Sequence, residues 1–256
     1  MRRGKEFRPL RRSPRLAEVR GPDRTELWTE TVGSPPPVYG ERWAEYRGRS
    51  YRAFEPARSK LAAAIVRGWE GDLPVDGDRW LYLGAASGTT ASHVADLVGR
   101  EGRVHAVERS LRPFARLVAL AERWPGLLPV LGDAREPRRY LPLVPQVDGV
   151  YADIAQPDQV EIVLANAALF LLGPEAPVLI ALKTPSMGRD ATAASHVRRA
   201  EEALAKVLEL APAVKLEPFH RGHFLVGGRA RPELFEEGAG GTLTPPRGHS
   251  PGRRRP

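Results

Sequence analysis

The chain of 256 residues contains no cysteine, so disulfide bonds and cysteine-ligated metal sites are both excluded. It also lacks an unbroken apolar run of the roughly 18 residues that a membrane-spanning helix needs. The best candidate, residues 162–172, is interrupted by Asn166. No apolar segment follows the basic N-terminus, as it would in a secretory signal. We therefore expect an intracellular protein with no membrane partner, and its 42% hydrophobic content is enough for a sizeable core.

Asparagine, glutamine, methionine and lysine are scarce. The chain has one asparagine, three glutamines and two methionines, and 34 of its 39 basic residues are arginine. Few thermolabile side chains are typical of thermophilic proteins, although a GC-rich genome would also exchange lysine for arginine. Where arginine is the default, each retained lysine raises the question of why a compact amine was kept. The five lysines are Lys5, Lys60, Lys183, Lys206 and Lys215.

A net charge of +8 and an isoelectric point of about 10.2 favour polyanionic partners, with nucleic acid first among them. The alternative is that the charge belongs to flexible ends of the chain. Residues 1–12 and 245–256 are both rich in arginine, so part of the charge does lie there.

Composition divides the chain into four segments. Residues 1–15 are basic with little apolar periodicity, and we expect a disordered N-terminal tail. In residues 16–56, short alternating stretches are separated by Gly and Pro turn signals, which predicts a small antiparallel β-module. Residues 57–228 alternate strand-like and helix-like patterns and form the main domain. Residues 229–256 are rich in Gly, Pro and Arg, and we expect a second disordered tail.

The main domain has five mostly apolar strand-like runs with helix-like stretches between them. This pattern predicts a parallel sheet covered by helices on both faces, and a closing pair of strands follows. The fold class is therefore α/β, a doubly wound sheet preceded by the β-module. In such sheets ligands bind at the carboxyl ends of the strands, so the residues that follow each strand are the candidates for function.

A glycine-bounded loop, Gly84-Ala-Ala-Ser-Gly88-Thr89-Thr90, follows the first of these strands. It contains no Gly-Lys-Ser/Thr and is therefore not a Walker loop. Position 86 is alanine, where the dinucleotide fingerprint requires its second glycine. A ligand without phosphate groups fits this loop better, although a plain tight turn has the same composition.

Acidic and amide side chains follow the next three strands. Glu108 is placed to accept both hydroxyls of a ribose, and Asp133, beside the backbone of Ala134, to accept an adenine amino group. Asp153 and Gln156 follow the fourth strand. Taken singly, Glu108 is also explained as a solvated surface residue and Asp133 as a helix cap. Taken together, these groups indicate an adenosine ligand with a positive charge, which is S-adenosylmethionine (SAM).

Collinear segments of this chain resemble the fibrillarin family, and the loop after Gly84 and the run that begins at Asp153 are specific to it among SAM-dependent methyltransferases. The resemblance implies a Rossmann-like sheet, mostly parallel with an antiparallel closing strand. It also implies 2′-O-methylation of ribose in ribosomal and transfer RNA. The segments are VYGER (38–42), PARSKLAAAI (56–65), YLGAASGTTASHVADLVG (82–99), PVLGDA (129–134), DIAQPDQVEIVLANA (153–167) and LEPFHRGHFLVGG (216–228).

The resemblance also implies partners and site residues. The partners are a box C/D guide RNA with its target rRNA or tRNA, a Nop-domain scaffold protein and a kink-turn-binding ribosomal-type protein, in the cytoplasm of an archaeal cell. The family's catalytic set, which uses no metal, falls on Lys60, Asp153, Lys183 and His223. Its SAM-contacting positions fall on Gly84, Thr89, Thr90, Glu108, Arg109, Asp133, Ala134, Asp153, Ile154, Ala155 and Gln156.

The implied chemistry has a physical basis. A ribose 2′-hydroxyl is almost fully protonated at neutral pH, so a base must remove its proton as the oxygen attacks the sulfonium methyl group. We expect Asp153 to be that base and Lys183 to stabilise the developing negative charge. Lys60 and His223 are expected to orient this pair and share the proton.

Several positions depart from the family pattern. Pro185 and Gly188 follow the catalytic strand, Gly222 stands where the family has an aspartate, and Arg109 replaces a common aromatic residue. These departures leave the expected reaction class intact and change the expected surroundings of His223 and the residue type at position 109.

Two rival functions stay open at this point. A base-directed RNA methyltransferase would use the same cofactor but leave its methyl group on a nucleobase. A non-catalytic RNA-binding subunit would use only the basic charge. A dehydrogenase fits less well than either, because the loop that begins at Gly84 lacks the glycine pattern that binds pyrophosphate.

Overall fold

The computed structural model describes residues 6–20, 25–188 and 192–240 of the chain. The first five strands are β1 (Phe7–Leu10), β2 (Ser13–Arg20), β3 (Thr25–Glu30), β4 (Trp43–Tyr46) and β5 (Arg49–Ala53). They form an antiparallel sheet in the order β1-β2-β3-β5-β4. The antiparallel β-module predicted ahead of the main sheet is confirmed, although it begins nearer the N-terminus than expected.

The hairpin of β1 and β2 contradicts the disordered tail expected over residues 1–15. Phe7 is buried, and its ring centroid lies 5.4 Å from that of Trp28 and 4.4 Å from that of Tyr51. Arg8 next to it is exposed. One aromatic anchor thus holds a basic segment on the sheet as an edge strand. Residues 1–5 lie outside the described residues.

The second sheet has eight strands and carries the main domain. Its strands are β6 (Arg79–Leu83), β7 (Arg103–Glu108), β8 (Leu127–Leu131), β9 (Gly149–Ala152), β10 (Pro177–Lys183), β11 (Leu208–Leu210), β12 (Val214–Lys215) and β13 (His223–Ala230). Their order is β11-β13-β10-β9-β6-β7-β8, with β12 paired to β13. The five adjacent strands β10, β9, β6, β7 and β8 run parallel to one another, and β13 is antiparallel to β10. The predicted mostly parallel sheet with an antiparallel closing strand is confirmed.

Helices cover both faces of this sheet. They are α1 (Lys60–Val66), α2 (Thr89–Val98), α3 (Leu111–Ala121), α4 (Gln159–Phe170), α5 (Ala193–Leu204) and α6 (Glu233–Gly240), with 3-10 turns at Pro137–Leu143 and Thr184–Ser186. Strand β6 is apolar on both of its faces because each face packs into a core cluster. Trp80 and Tyr82 join one cluster, and Leu81 and Leu83 join the other. In the part of the chain that the structure describes, no helix is long and apolar enough to span a bilayer.

The start of the expected C-terminal tail is ordered. β13 continues to Ala230 and α6 follows it, so the prediction of disorder is wrong for residues 229–240. Leu234 is buried in the core cluster on the α4 side of the sheet, and Phe235 packs against it. Residues 241–256 lie outside the described residues.

A buried polar network fixes the β-module to α2. Its centre is Asp96, whose carboxylate is fully buried and salt-bridged to the equally buried Arg52 at 2.6 Å. Arg52 also donates to Glu41 and to Ser92, at 3.1 and 2.8 Å. Burying these charges is tolerable because each has several hydrogen-bond partners. The further donors to Asp96 are the Thr29 and Thr31 hydroxyls, the Val32 amide and the Trp124 indole.

Candidate active site

A cleft of about 220 Å³ opens at the carboxyl edge of the main sheet, where the chain passes from β6 to helix α2. The strand order reverses here, since β7 lies on one side of β6 and β9 on the other. Nine of the eleven predicted SAM-contacting residues line it. They are Gly84, Glu108, Arg109, Asp133, Ala134, Asp153, Ile154, Ala155 and Gln156.

The glycine loop is shaped by close packing against the end of β9. Gly84 has a φ of +78°, and a Cβ atom there would lie 2.5 Å from the carbonyl oxygen of Asp153. Gly88 has a φ of +90°, and a Cβ there would lie 2.5 Å from a methyl group of Leu120. Both glycines are therefore required by conformation and by space. The loop brings its backbone to the cleft wall beside Asp153.

Glu108 is held rigidly in the cleft wall. The residue is 8% exposed, its Oε2 accepts the Ala86 N–H at 2.9 Å and its Oε1 accepts the Ser110 N–H at 2.7 Å. The burial and these two contacts are inconsistent with a freely solvated surface glutamate. Each carboxylate oxygen keeps a lone pair for a further donor, which suits a pair of ribose hydroxyls.

Two arginines tie the strand-end loops together across the cleft. Arg109 donates to Asp133 at 3.1 Å, and Asp133 also accepts the backbone N–H of Arg135 at 3.0 Å. The Arg135 side chain donates to both oxygens of Asp158, at 3.0 and 2.6 Å, and to Gln156 at 2.8 Å. Asp133 therefore both lines the cleft and caps the following turn. Sequence reasoning missed Arg135, whose partners lie over twenty residues away.

Thr89 and Thr90, also predicted to contact SAM, are not in the cleft lining. Thr90 is buried and donates to the Ser59 hydroxyl at 3.1 Å. Ser59 is the N-cap of α1 and accepts the N–H of Ala62. Thr90 thus supports the helix whose first residue is Lys60.

Lys60 and Asp153 form a close ion pair beside the cleft. The Lys60 ammonium donates to both carboxylate oxygens of Asp153, at 2.8 and 2.7 Å, and the two side chains are 20% and 22% exposed. Asp153 follows β9 and Lys60 begins α1, so the contact joins positions 93 residues apart. Both oxygens of Asp153 are oriented by Lys60, and each retains a lone pair.

The other two predicted catalytic residues are neighbours on adjacent strands. Lys183 ends β10 and is paired in register with His223, which begins β13. Nδ1 of His223 is hydrogen-bonded to the carbonyl oxygen of Arg221 at 2.9 Å. Since a carbonyl only accepts, Nδ1 carries the proton and Nε2 of the neutral ring is an acceptor.

Two histidines of this region have lowered pKa values. The pKa of His223 lies below its usual 6.5 chiefly because the ring is partly buried, and the positive charge of Lys60 lowers it further. The pKa of His220 is lowered in the same way, and its Nε2 donates to the Pro56 carbonyl at 2.8 Å. Both rings are therefore neutral at pH 7.

Two departures from the family pattern contact each other. Gly222 has a φ of +69°, and a Cβ there would lie 2.9 Å from Cγ of Pro185. The Gly222 carbonyl accepts both the N–H and the hydroxyl of Thr184, at 3.1 and 3.0 Å. Pro185, which follows β10, thus occupies the space that a side chain at position 222 would need.

Comparison with known proteins agrees with this geometry. The fibrillarin family model matches residues 15–232. The fibrillarin-like rRNA/tRNA 2′-O-methyltransferase of Methanopyrus kandleri is 43% identical over 199 residues, covering 76% of this chain and 84% of the relative.

Two solved structures are also similar. Aeropyrum pernix fibrillarin in complex with natively bound SAM has a TM-score of 0.77 and 36% identity, covering 87% of this chain and 97% of that one. The fibrillarin of a fibrillarin/Nop5p complex has a TM-score of 0.72 and 37% identity, covering 80% and 94%. The chain therefore belongs to the fibrillarin family.

Proposed function

We propose that this protein transfers a methyl group from SAM to the ribose 2′-hydroxyl of rRNA and tRNA nucleotides that a box C/D guide RNA selects. The observation that carries the proposal is that two features lie together at the same edge of the main sheet. One is a cleft walled by the rigid Glu108 carboxylate, and the other is the Lys60–Asp153 ion pair at its side. The names of the relatives supply the reaction class.

The residues of the cleft fit SAM. Glu108 presents two oriented oxygens for ribose hydroxyls, and Asp133 and Ala134 lie where an adenine would bind. Gly84 lets the loop pass close to Asp153, because a Cβ atom there would clash with the Asp153 carbonyl oxygen. SAM, when bound, supplies an electrophilic methyl group on a positively charged sulfur.

The remaining residues accept the proton of the ribose 2′-hydroxyl and stabilise the negative charge that develops on its oxygen. Asp153 accepts the proton of the 2′-hydroxyl as the oxygen attacks, and Lys60 keeps the carboxylate oriented through both of its oxygens. The Lys183 ammonium stabilises the negative charge that develops on that oxygen. Neutral His223, with Nε2 as an acceptor, takes part in moving the proton away.

We further propose that the protein acts within a particle, in the cytoplasm of an archaeal cell. The relative in complex with Nop5p supports a Nop-domain scaffold as partner. Guide RNA, target RNA and a kink-turn-binding protein complete the proposed particle. The net charge of +8 is favourable for assembly on RNA.

The test is methyl transfer from radiolabelled SAM to a guide-paired target RNA, with Nop scaffold and kink-turn protein supplied. A matched target with 2′-deoxyribose at the selected nucleotide is the control. Label on the first RNA alone is the expected result. Equal label on both would move the methyl group to a base, and SAM binding without any transfer would favour a non-catalytic subunit.

A further inference from the structure

The side chain of Gln159 is bound to the main chain of Lys183. Gln159 is the first residue of α4 and is fully buried. Its Oε1 accepts the Lys183 N–H at 3.0 Å, and its Nε2 donates to the Lys183 carbonyl oxygen at 3.3 Å. The N–H and the carbonyl of Lys183 are therefore both hydrogen-bonded by the one side-chain amide of Gln159.

This contact replaces the hydrogen bonds that β9 would supply to β10 if β9 were longer. The parallel ladder between β9 and β10 ends at the pair Ala152 and Ile180, because β9 stops at Ala152. The N–H of Asp153 faces the other neighbour of β9 and donates to Leu83 of β6. Lys183 therefore lies beyond the β9–β10 ladder, although it is still paired with His223 of β13. On its other side Thr184 already donates to Gly222 of the loop before β13.

An amide side chain has the same donor and acceptor as a peptide group, so Gln159 can complete the ladder where no backbone remains. Asp153 lies just after the end of β9, where it lines the cleft and its side chain pairs with Lys60. Without a substitute partner, that same ending would leave the N–H and carbonyl of Lys183 without a partner on the β9 side of β10. Gln159 also lies only six residues after Asp153, on the helix that the Asp153 loop leads into.

We propose that Gln159 is a positioning residue that fixes the main chain of Lys183, and through it the Lys183 ammonium, relative to Asp153. This inference rests on the proposed function, in which Lys183 acts on the ribose oxygen. Gln159 does not line the SAM cleft. Its loss should therefore slow the chemical step and leave cofactor binding intact.

The first test compares Gln159→Met with Gln146→Met. Methionine has nearly the length of glutamine but neither hydrogen-bonding group, and Gln146 is an exposed glutamine that serves as the matched control. We expect Gln159→Met to lower kcat about 10- to 100-fold, the range that a misplaced catalytic group costs, with the Kd for SAM changed less than about threefold. An unchanged kcat in folded Gln159→Met would overturn the proposal.

A second variant, Gln159→Glu, gives a readout that a general loss of packing would not. A neutral glutamic acid can accept from the Lys183 N–H and donate to its carbonyl, whereas the ionised form can only accept. Burial raises the pKa of such a carboxyl, so the kcat of Gln159→Glu relative to the parent should rise as pH falls from about 8 to about 6.

The same ratio for Gln159→Met should be flat. A flat ratio for folded Gln159→Glu would contradict the positioning role, even if Gln159→Met failed to fold. An inactive parent that binds SAM would instead contradict the proposed function, so the two failures are distinguishable.

Discussion

At the residue scale, Glu108 is assigned to cofactor binding and Lys183 to chemistry, so the two roles can be tested separately. Glu108→Ala removes a rigid carboxylate from the SAM cleft, and we expect the Kd for SAM to rise about 10- to 100-fold, since a hydrogen bond to a charged group is worth about 1.5–3 kcal/mol. Lys183→Ala should leave that Kd nearly unchanged and lower kcat by about a hundredfold or more.

Calorimetric titration with SAM and single-turnover methyl transfer measure the two effects. Glu101→Ala, at an exposed turn, is the matched control and should change neither. Loss of SAM binding in Lys183→Ala, or normal SAM binding in Glu108→Ala, would contradict the division of roles.

The sequence was informative about residues at strand ends and silent about those that support them. Glu108 and Asp153 could be found because parallel strands bring their carboxyl ends to one edge. Arg135 and Gln159 could not, because their function depends on partners more than twenty residues away. The catalytic roles of Lys60, Asp153, Lys183 and His223 stay predictions.

At the element scale, periodic apolar patterns identified the main strands and helices, while sparse ones were missed. β1 and α6 are held by few large apolar residues, notably Phe7, Leu234 and Phe235, in segments that are otherwise charged or rich in Gly and Pro. Average composition is a poor guide to such segments because a single buried anchor decides the outcome.

The attachment of the β-module to α2 gives a prediction at this scale. Asp96→Asn leaves Arg52 buried without its full counter-charge, and we expect a loss of about 3 kcal/mol or more in the free energy of unfolding. Asp76→Asn is the control, because the Asp76 side chain is 62% exposed and its contact with Arg15 spans 3.6 Å, so we expect at most about 1 kcal/mol. Urea unfolding measures both, and equal losses would refute the structural role of the network.

At the scale of the whole molecule, we expect charge to make the protein sensitive to acid. The net charge is already +8 with neutral histidines, and lowering the pH adds further positive charge. His105, in β7, is 5% exposed and its Nδ1 has no hydrogen-bond partner. Burial lowers its pKa below the usual 6.5, and the neighbouring Arg79 and Arg103 lower it further.

The sign of the effect follows from proton binding. Below about pH 6.5 the unfolded chain binds a proton at His105 that the folded chain excludes, so the free energy of unfolding decreases as pH falls, by at most about 1.4 kcal/mol per pH unit from this group. His105→Leu removes the proton site without leaving a polar atom unpaired. Its stability should therefore fall less steeply than the parent's between about pH 6.5 and about pH 5.5, as measured by urea unfolding at each pH. Parallel curves for the two proteins would show that His105 is not a source of the acid sensitivity.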